Sequence, residues 1–171
     1  LMEKELKYLV NSMNNPIKPC TVILGGAKIS DKIELIFNMV EKTDTILIGG
    51  AMAFTFLKVQ GKNVGSSLLD EENLHTAEDI LRISDKSNTN VVLPVDVVAT
   101  SELAQDVSWR VANLEELKKD ESGYDIGPET TMNFELLLAD NKTILWNGPM
   151  GMCEIPAFST GTQAIAAAVR A

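Results

Sequence analysis

Aromatic side chains make up only 5% of this 171-residue sequence, histidine occurs once, cysteine twice, and basic residues are outnumbered 15 to 24 by acidic ones. Each scarcity closes off a class of function. A formal charge of −9 removes the positive field that nucleic acid and anionic membrane surfaces require, so neither is expected as a partner. Cys20 and Cys153 form no Cys-x-x-Cys pair and have no histidine cluster beside them. Small packed thiols in a reducing compartment are the expectation, not a disulfide or a zinc site. No apolar run approaches the roughly 20 residues that span a bilayer, and no signal-peptide pattern opens the chain, so a cytoplasmic protein is expected; a monomer is the expected state. The lone His75 falls just inside an acidic helix start and is read as a surface or packing residue. The first residue is Leu1, and residues 163–171 read as helix without a stop signal, so the sequence is expected to be a piece of a longer protein.

A hydrophobic content of 45% with 23% charge is that of an ordinary folded domain. Leu6, Leu9, Val10 and Met13 follow helical spacing and predict a lead-in helix within residues 1–15. Residues 21–24 form a short β-branched run closed by Gly25 and Gly26, after which Ile29, Ile33, Ile36, Phe37 and Val40 mark one face of a helix. Strand, glycine turn and helix recur at residues 45–48, Gly49-Gly50 and 51–59, and in looser form at 91–99. A fourth copy runs from residues 143–146 through Asn147-Gly148-Pro149-Met150-Gly151 into an alanine-rich helix. Leu74, Ala77, Leu81 and Ser84 line a further helix whose acidic start, Asp70 to Glu72, reads as a solvated terminus. Residues 113–120 are expected as a surface helix or loop and 132–139 as a short helix. Trp109 and Trp146 are read as packing residues, and Asp96, in an apolar run, is expected to need buried partners.

Continuous apolar strands alternating with helices predict an α/β fold: an open, mostly parallel sheet with helices on both faces, a Rossmann-like three-layer sandwich. Right-handed connections place the turns after the strands along one edge, where ligands of such sheets bind. The first turn, Gly25-Gly26-Ala27-Lys28-Ile29-Ser30-Asp31-Lys32, offers a phosphate three things: small residues, the amides opening a helix, and Lys28 and Lys32 one helical turn apart. A tight turn with two solvated lysines is the plain alternative. The sequence contains neither a Walker A loop nor a GxGxxG fingerprint, which argues against a nicotinamide-dependent dehydrogenase.

Five segments in order, Leu-Gly-Gly-Ala-Lys-Ile-Ser-Asp-Lys (24–32), Ile-Gly-Gly-Ala-Met-Ala-Phe-Thr-Phe-Leu-Lys (48–58), Leu-Pro-Val-Asp-Val-Val (93–98), Asp-Ile-Gly-Pro-Glu-Thr (125–130) and Trp-Asn-Gly-Pro-Met-Gly (146–151), closely resemble the C-terminal domain of phosphoglycerate kinase. The resemblance spans residues 1–171. It implies reversible phosphoryl transfer between ATP and 3-phosphoglycerate in glycolysis, this chain supplying the ATP/ADP site with Mg2+. Lys28 and Lys32 would stabilise the transferring charge. Gly26 and Ala27 would line the same site, Gly49 and Gly50 would face the adenine pocket, and Leu68, Leu103, Gly123 and Tyr124 would lie near the base. Asn147, Pro149, Gly151 and Met152 would wrap ribose and phosphates, Glu154 would accept from ribose hydroxyls, and Asp31 would help hold the metal. Residues 1–171 are then an incomplete nucleotide-binding C-terminal domain that ends before the family's Gly-Gly-Gly-Asp turn and lacks the N-terminal domain that holds 3-phosphoglycerate. Alone it is expected to be inactive. Ala51 stands where the family commonly has a third glycine, Leu103 and Tyr124 where Phe and Leu are usual, and Cys153 where Phe is usual. A non-catalytic nucleotide-binding module is the alternative.

Overall fold

The computed structural model describes residues 15–103 and 108–170; apart from Asn15, the helix expected over residues 1–15 lies outside them. Four parallel strands, β1 (Cys20–Leu24), β2 (Thr45–Ile48), β3 (Asn90–Val92) and β7 (Thr143–Asn147), form one sheet in the order β3-β2-β1-β7. Central β1 is buried along its whole length, which is why its sequence reads as an unbroken apolar run and not as an alternation. Successive side chains still point to opposite faces. Val22 and Leu24 join Ile46 and Ile48 under helices α1 (Ile33–Met39), α2 (Met52–Val59) and α3 (Leu74–Ser87), through Ile36, Phe56 and Ile80. On the other face Ile23 and Leu47 meet Phe134 and Leu138 of α4 (Pro128–Leu138) and Ile165 of α5 (Thr160–Arg170). Each such side chain, fully buried, contributes roughly 1.5–3 kcal/mol. The three expected layers are present.

A second sheet is also present that the sequence pattern did not reveal. β4 (Asp96–Thr100), β5 (Arg110–Asn113) and β6 (Ser122–Ile126) pair antiparallel in the order β5-β4-β6. The single strand expected over residues 91–99 is therefore two strands in different sheets, broken at Pro94, which has no N–H to give a ladder. β5 is mostly exposed and β6 only partly apolar, so neither carries a strong hydrophobic signal. Phe54 and Leu57 of α2 pack on this sheet against Val97, Ala99 and Ala112.

Other boundaries differ from expectation for local reasons. α1 begins only at Ile33, with Ile29 buried in the preceding turn and Phe37 exposed. Residues 114–116 make one 3-10 turn. α4 starts at Pro128, ahead of the expected residue 132, because proline's fixed φ suits the first helical position. Cys20 is buried and Cys153 exposed, both as free thiols, so the packed-thiol reading holds for Cys20 alone. Trp146 packs against the second core face while Trp109 is exposed. His75 lies on the surface of α3 near Glu78 and Asp79.

The start of β6 is anchored by a buried acid. Glu121 receives Arg110 through Nε at 2.9 Å and Nη2 at 2.7 Å, and the Lys118 amide at 3.0 Å. The Arg110 guanidinium, helped by that amide, holds the Glu121 carboxyl down at about 2. The unfolded chain takes up this proton near 4.5, so the pairing contributes stability above that pH and loses it as pH falls toward 2. Urea titrations at stepped pH should show Glu121→Gln less stable than the parent at pH 7, with the gap closing as both are taken to pH 2–3. A gap independent of pH would refute this origin.

Candidate functional site

Because β2, β1 and β7 are parallel neighbours, their carboxyl ends fall at one edge, and the turns that follow are bonded directly to each other. Gly25 N donates to Asn147 O at 2.9 Å, Gly26 N to Pro149 O at 3.0 Å, Gly50 N to Met150 O at 2.9 Å and Met52 N to Gly26 O at 3.0 Å. Such closeness excludes side chains. Gly50 has φ +65°, and a Cβ there would lie 2.6 Å from both N and O of Gly26, so only glycine fits. At Gly49 a Cβ would meet Met150 Sδ at 2.6 Å; this glycine makes room for the buried methionine.

Lys28 and Lys32 lie in the turn ahead of α1 and not on a shared helical face. Lys32 N closes that turn on Ile29 O at 2.8 Å, and its Nζ donates to Asn147 Oδ1 at 2.5 Å, joining the first and last turns. The Lys28 side chain has no hydrogen-bond or ion-pair partner among the described residues. Asp70, expected to be solvated, is buried and accepts from Ser30 N at 3.2 Å and Asn73 Nδ2 at 2.9 Å. Burial works against its charge, yet Asn73, the Ser30 amide and the field of Lys28 hold the carboxyl below the ordinary range. An internal acid thus occupies an amide that the sequence reading offered to phosphate, leaving the lysines as the main anion-attracting groups of this turn.

The opposite wall comes from β6. Gly123 N donates to Ser67 Oγ at 3.0 Å, and Leu68, the residue after Ser67, is exposed. Tyr124 O accepts from Met152 N at 2.8 Å, and the Tyr124 ring lies 5.2 Å from that of Phe158. A void of about 10 Å3 is lined by Gly50, Phe54, Gly123, Tyr124 and Met150, so the second turn, β6 and the last turn close on one another. Gly26, Ala27, Gly50, Gly123, Tyr124, Asn147, Pro149, Gly151 and Met152 are brought together at this edge, with Glu154 exposed two residues beyond Met152. Leu103 is exposed past the end of β4, and no hydrogen bond among the described residues ties it to the group. Asp31 is exposed in the lysine turn. Among the described residues no three His, Cys, Asp or Glu side chains cluster as a metal cage, so a magnesium ion would depend on phosphate and water for most of its ligands.

Two residues not singled out from the sequence support the last turn from beneath. Thr162 Oγ1 accepts from Met150 N at 2.9 Å. Asp125 is buried, and its carboxyl is pushed up to about 6 because desolvation outweighs bonds from the Gly161 and Ile126 amides. A separate surface groove of about 910 Å3 runs along the free edge of β3, between α2 and α4, with Glu115, Glu116 and Glu129 among its walls. It contains none of the expected site residues, and its acids would repel an anion. No described helix is long and apolar enough to cross a membrane.

A profile of the phosphoglycerate kinase family matches residues 1–171. The chain is 47% identical over 166 residues to a phosphoglycerate kinase of Finegoldia magna, covering 97% of the chain and 42% of that relative. It is 48% identical over 170 residues to one of Thermosipho africanus, covering 99% and 42%. The solved phosphoglycerate kinase of Coxiella burnetii superposes with a TM-score of 0.94 at 41% identity over 99% of this chain and 44% of its own. That of Pyrococcus horikoshii gives 0.81 at 25%, over 99% and 43%. The chain therefore spans about two fifths of the length of the relatives it matches.

Proposed function

The chain belongs to the phosphoglycerate kinase family, and from that premise we propose that residues 1–171 are the ATP/ADP-binding part of a cytoplasmic enzyme that transfers phosphoryl between ATP and 3-phosphoglycerate. The bond from Lys32 to Asn147 carries the proposal most directly, because it brings a cation and a hydrogen-bonding amide from turns 115 residues apart to one point on the rim. In this assignment the nucleotide lies in an open slot along the rim: the base against the outer surface of Gly50, Gly123 and Tyr124, whose interior gap is too small to admit it, the ribose by Gly151 and Met152 toward Glu154, the inner phosphates past Asn147 and Pro149, and the outer phosphates at Lys28 and Lys32. Phosphoryl transfer asks chiefly for alignment and for neutralisation of charge spreading over the equatorial oxygens. Two ammonium groups supply that charge. Magnesium enters as part of the nucleotide substrate, with Asp31 as the described carboxylate nearest in sequence to the lysines. The acceptor, 3-phosphoglycerate, is assigned to the part of the relatives that this chain does not span.

The protein expressed from the complete reading frame that encodes this chain should bind MgADP saturably by calorimetry, and should form ADP from ATP only when 3-phosphoglycerate is added. Binding without turnover would leave a nucleotide-binding module. Absence of binding would overturn the assignment.

A further inference from the structure

Asp125 is only 4% exposed and has no ion-pair partner among the described residues. Its Oδ1 accepts from Ile126 N at 2.9 Å, and its Oδ2 from Gly161 N at 2.8 Å in the first turn of α5. Two glycines from separate segments press on the same group: a Cβ on Gly151 would lie 2.3 Å from Oδ1, and one on Gly161 would lie 2.5 Å from it. The last turn is clamped on either side of this contact. Met150 N is held by Thr162 of α5 at 2.9 Å, and Met152 N by Tyr124 O of β6 at 2.8 Å. A buried charge without a counter-ion is costly, and an apolar residue would fill the space without that cost. What an apolar side chain cannot do is accept from two amides on different elements at once.

We propose that Asp125 is a positioning residue for the base-and-ribose end of the slot, a role that rests on the nucleotide reading above: its carboxylate sets the distance between β6 and the turn at Gly151-Met152. Asp125 touches no nucleotide in this assignment. It acts through Gly151 on one side and through α5 on the other, so its influence falls on the adenosine and not on the phosphates held by the lysines.

Asp125→Asn keeps the shape but leaves one acceptor for two amides and turns an NH2 toward the other. In the protein from the complete reading frame, this variant should bind MgADP roughly tenfold or more weakly, the value of a hydrogen bond to a charged group, while inorganic tripolyphosphate binds as before. In turnover the KM for ATP should rise with kcat retained, the mark of lost uniform binding. Gly161→Ala, outside the slot, keeps the charge and drives a methyl against it; the same selective loss is expected, and this variant decides the matter if Asp125→Asn does not fold. The proposal is overturned if folded variants bind MgADP like the parent, or if they lose tripolyphosphate as much as ADP, which would indicate general loosening. If the unaltered protein fails to bind MgADP, the nucleotide reading itself falls and the proposal falls with it.

Discussion

Replacing Lys28 by alanine in the protein expressed from the complete reading frame is expected to lower kcat for phosphoryl transfer by roughly a hundred- to a thousandfold, with a much smaller rise in the KM for ATP. The turn that carries Lys28 is tied down from behind. Asp70 takes the Ser30 amide at 3.2 Å, Lys32 N closes on Ile29 O at 2.8 Å, and Gly26 is stitched to Pro149 and Met52. The exposed ammonium makes no hydrogen bond or ion pair among the described residues and feels Asp70 only through its field, so most of its charge is available as negative charge develops. Lys28→Arg should not restore the rate, since a planar fork differs in reach and hydration from a compact ammonium. Lys32→Ala should behave differently. It removes the bond to Asn147 Oδ1 that joins two turns, so KM and kcat should deteriorate together. Steady-state kinetics separate the two patterns. Turnover of Lys28→Ala within a fewfold of the parent would remove Lys28 from the chemistry.

Asp96→Ala is expected to cost about 3–5 kcal/mol of stability, since two or three buried donors lose their acceptor, and to lower the melting temperature by on the order of 10 °C. Asp96 is 2% exposed. Its carboxylate accepts from Glu129 N at 3.0 Å, Thr130 N at 2.8 Å and Thr130 Oγ1 at 2.6 Å. These amides open α4, whose N-cap position is Gly127, a residue with no side chain to cap them. The cap is therefore lent by β4 of the second sheet. Thr130 Oγ1 returns the favour by accepting from Val95 N at 3.0 Å and Asp96 N at 3.2 Å. Without the carboxylate, buried donors are left unpaired at about 1–3 kcal/mol each, and α4 loosens from β4. Because Phe134 and Leu138 of α4 cover the second face of the parallel sheet, the loss should spread. Thermal unfolding followed by circular dichroism measures it, with exposed Asp140→Ala as control. A midpoint within two or three degrees of the parent, on the scale of a surface change, would contradict this account of Asp96.

How far the sequence could be read depended on the range over which each feature is encoded. β1 and β2 are legible because burial on both faces leaves a continuous apolar run, β7 because its half-buried residues are apolar all the same, and a glycine-containing turn ends all three. β5 and β6 are not: β5 exposes the apolar Val111, and β6, though mostly buried, places Ser122, Gly123 and Asp125 where an apolar pattern would stand. The lysine turn is legible in the sequence, but its conformation is not: Ile29 continues an apparent helical period although it is buried in a turn. Asp70 looks like a solvated helix start because adjacent Glu71 and Glu72 are one; contacts with Ser30, 40 residues earlier, and Thr55, 15 residues earlier, distinguish it.

By itself, the sequence determined the succession of strand, glycine turn and helix, the parallel three-layer class, and the chemical character of the rim: small residues, two lysines, an amide and a carboxylate. These are local properties, set by burial period and by backbone sterics within a few residues. Tertiary structure alone decided that residues 91–99 divide between two sheets, that Asp96 caps a helix it does not belong to, and that Asp70 takes an amide beside the lysines. It also decided that Asp125 lies under the turn opposite. The three carboxylate placements each depend on an N–H some 33 to 40 residues away, and the division of 91–99 on which strands pair; both are set by how the layers stack, which no local pattern records.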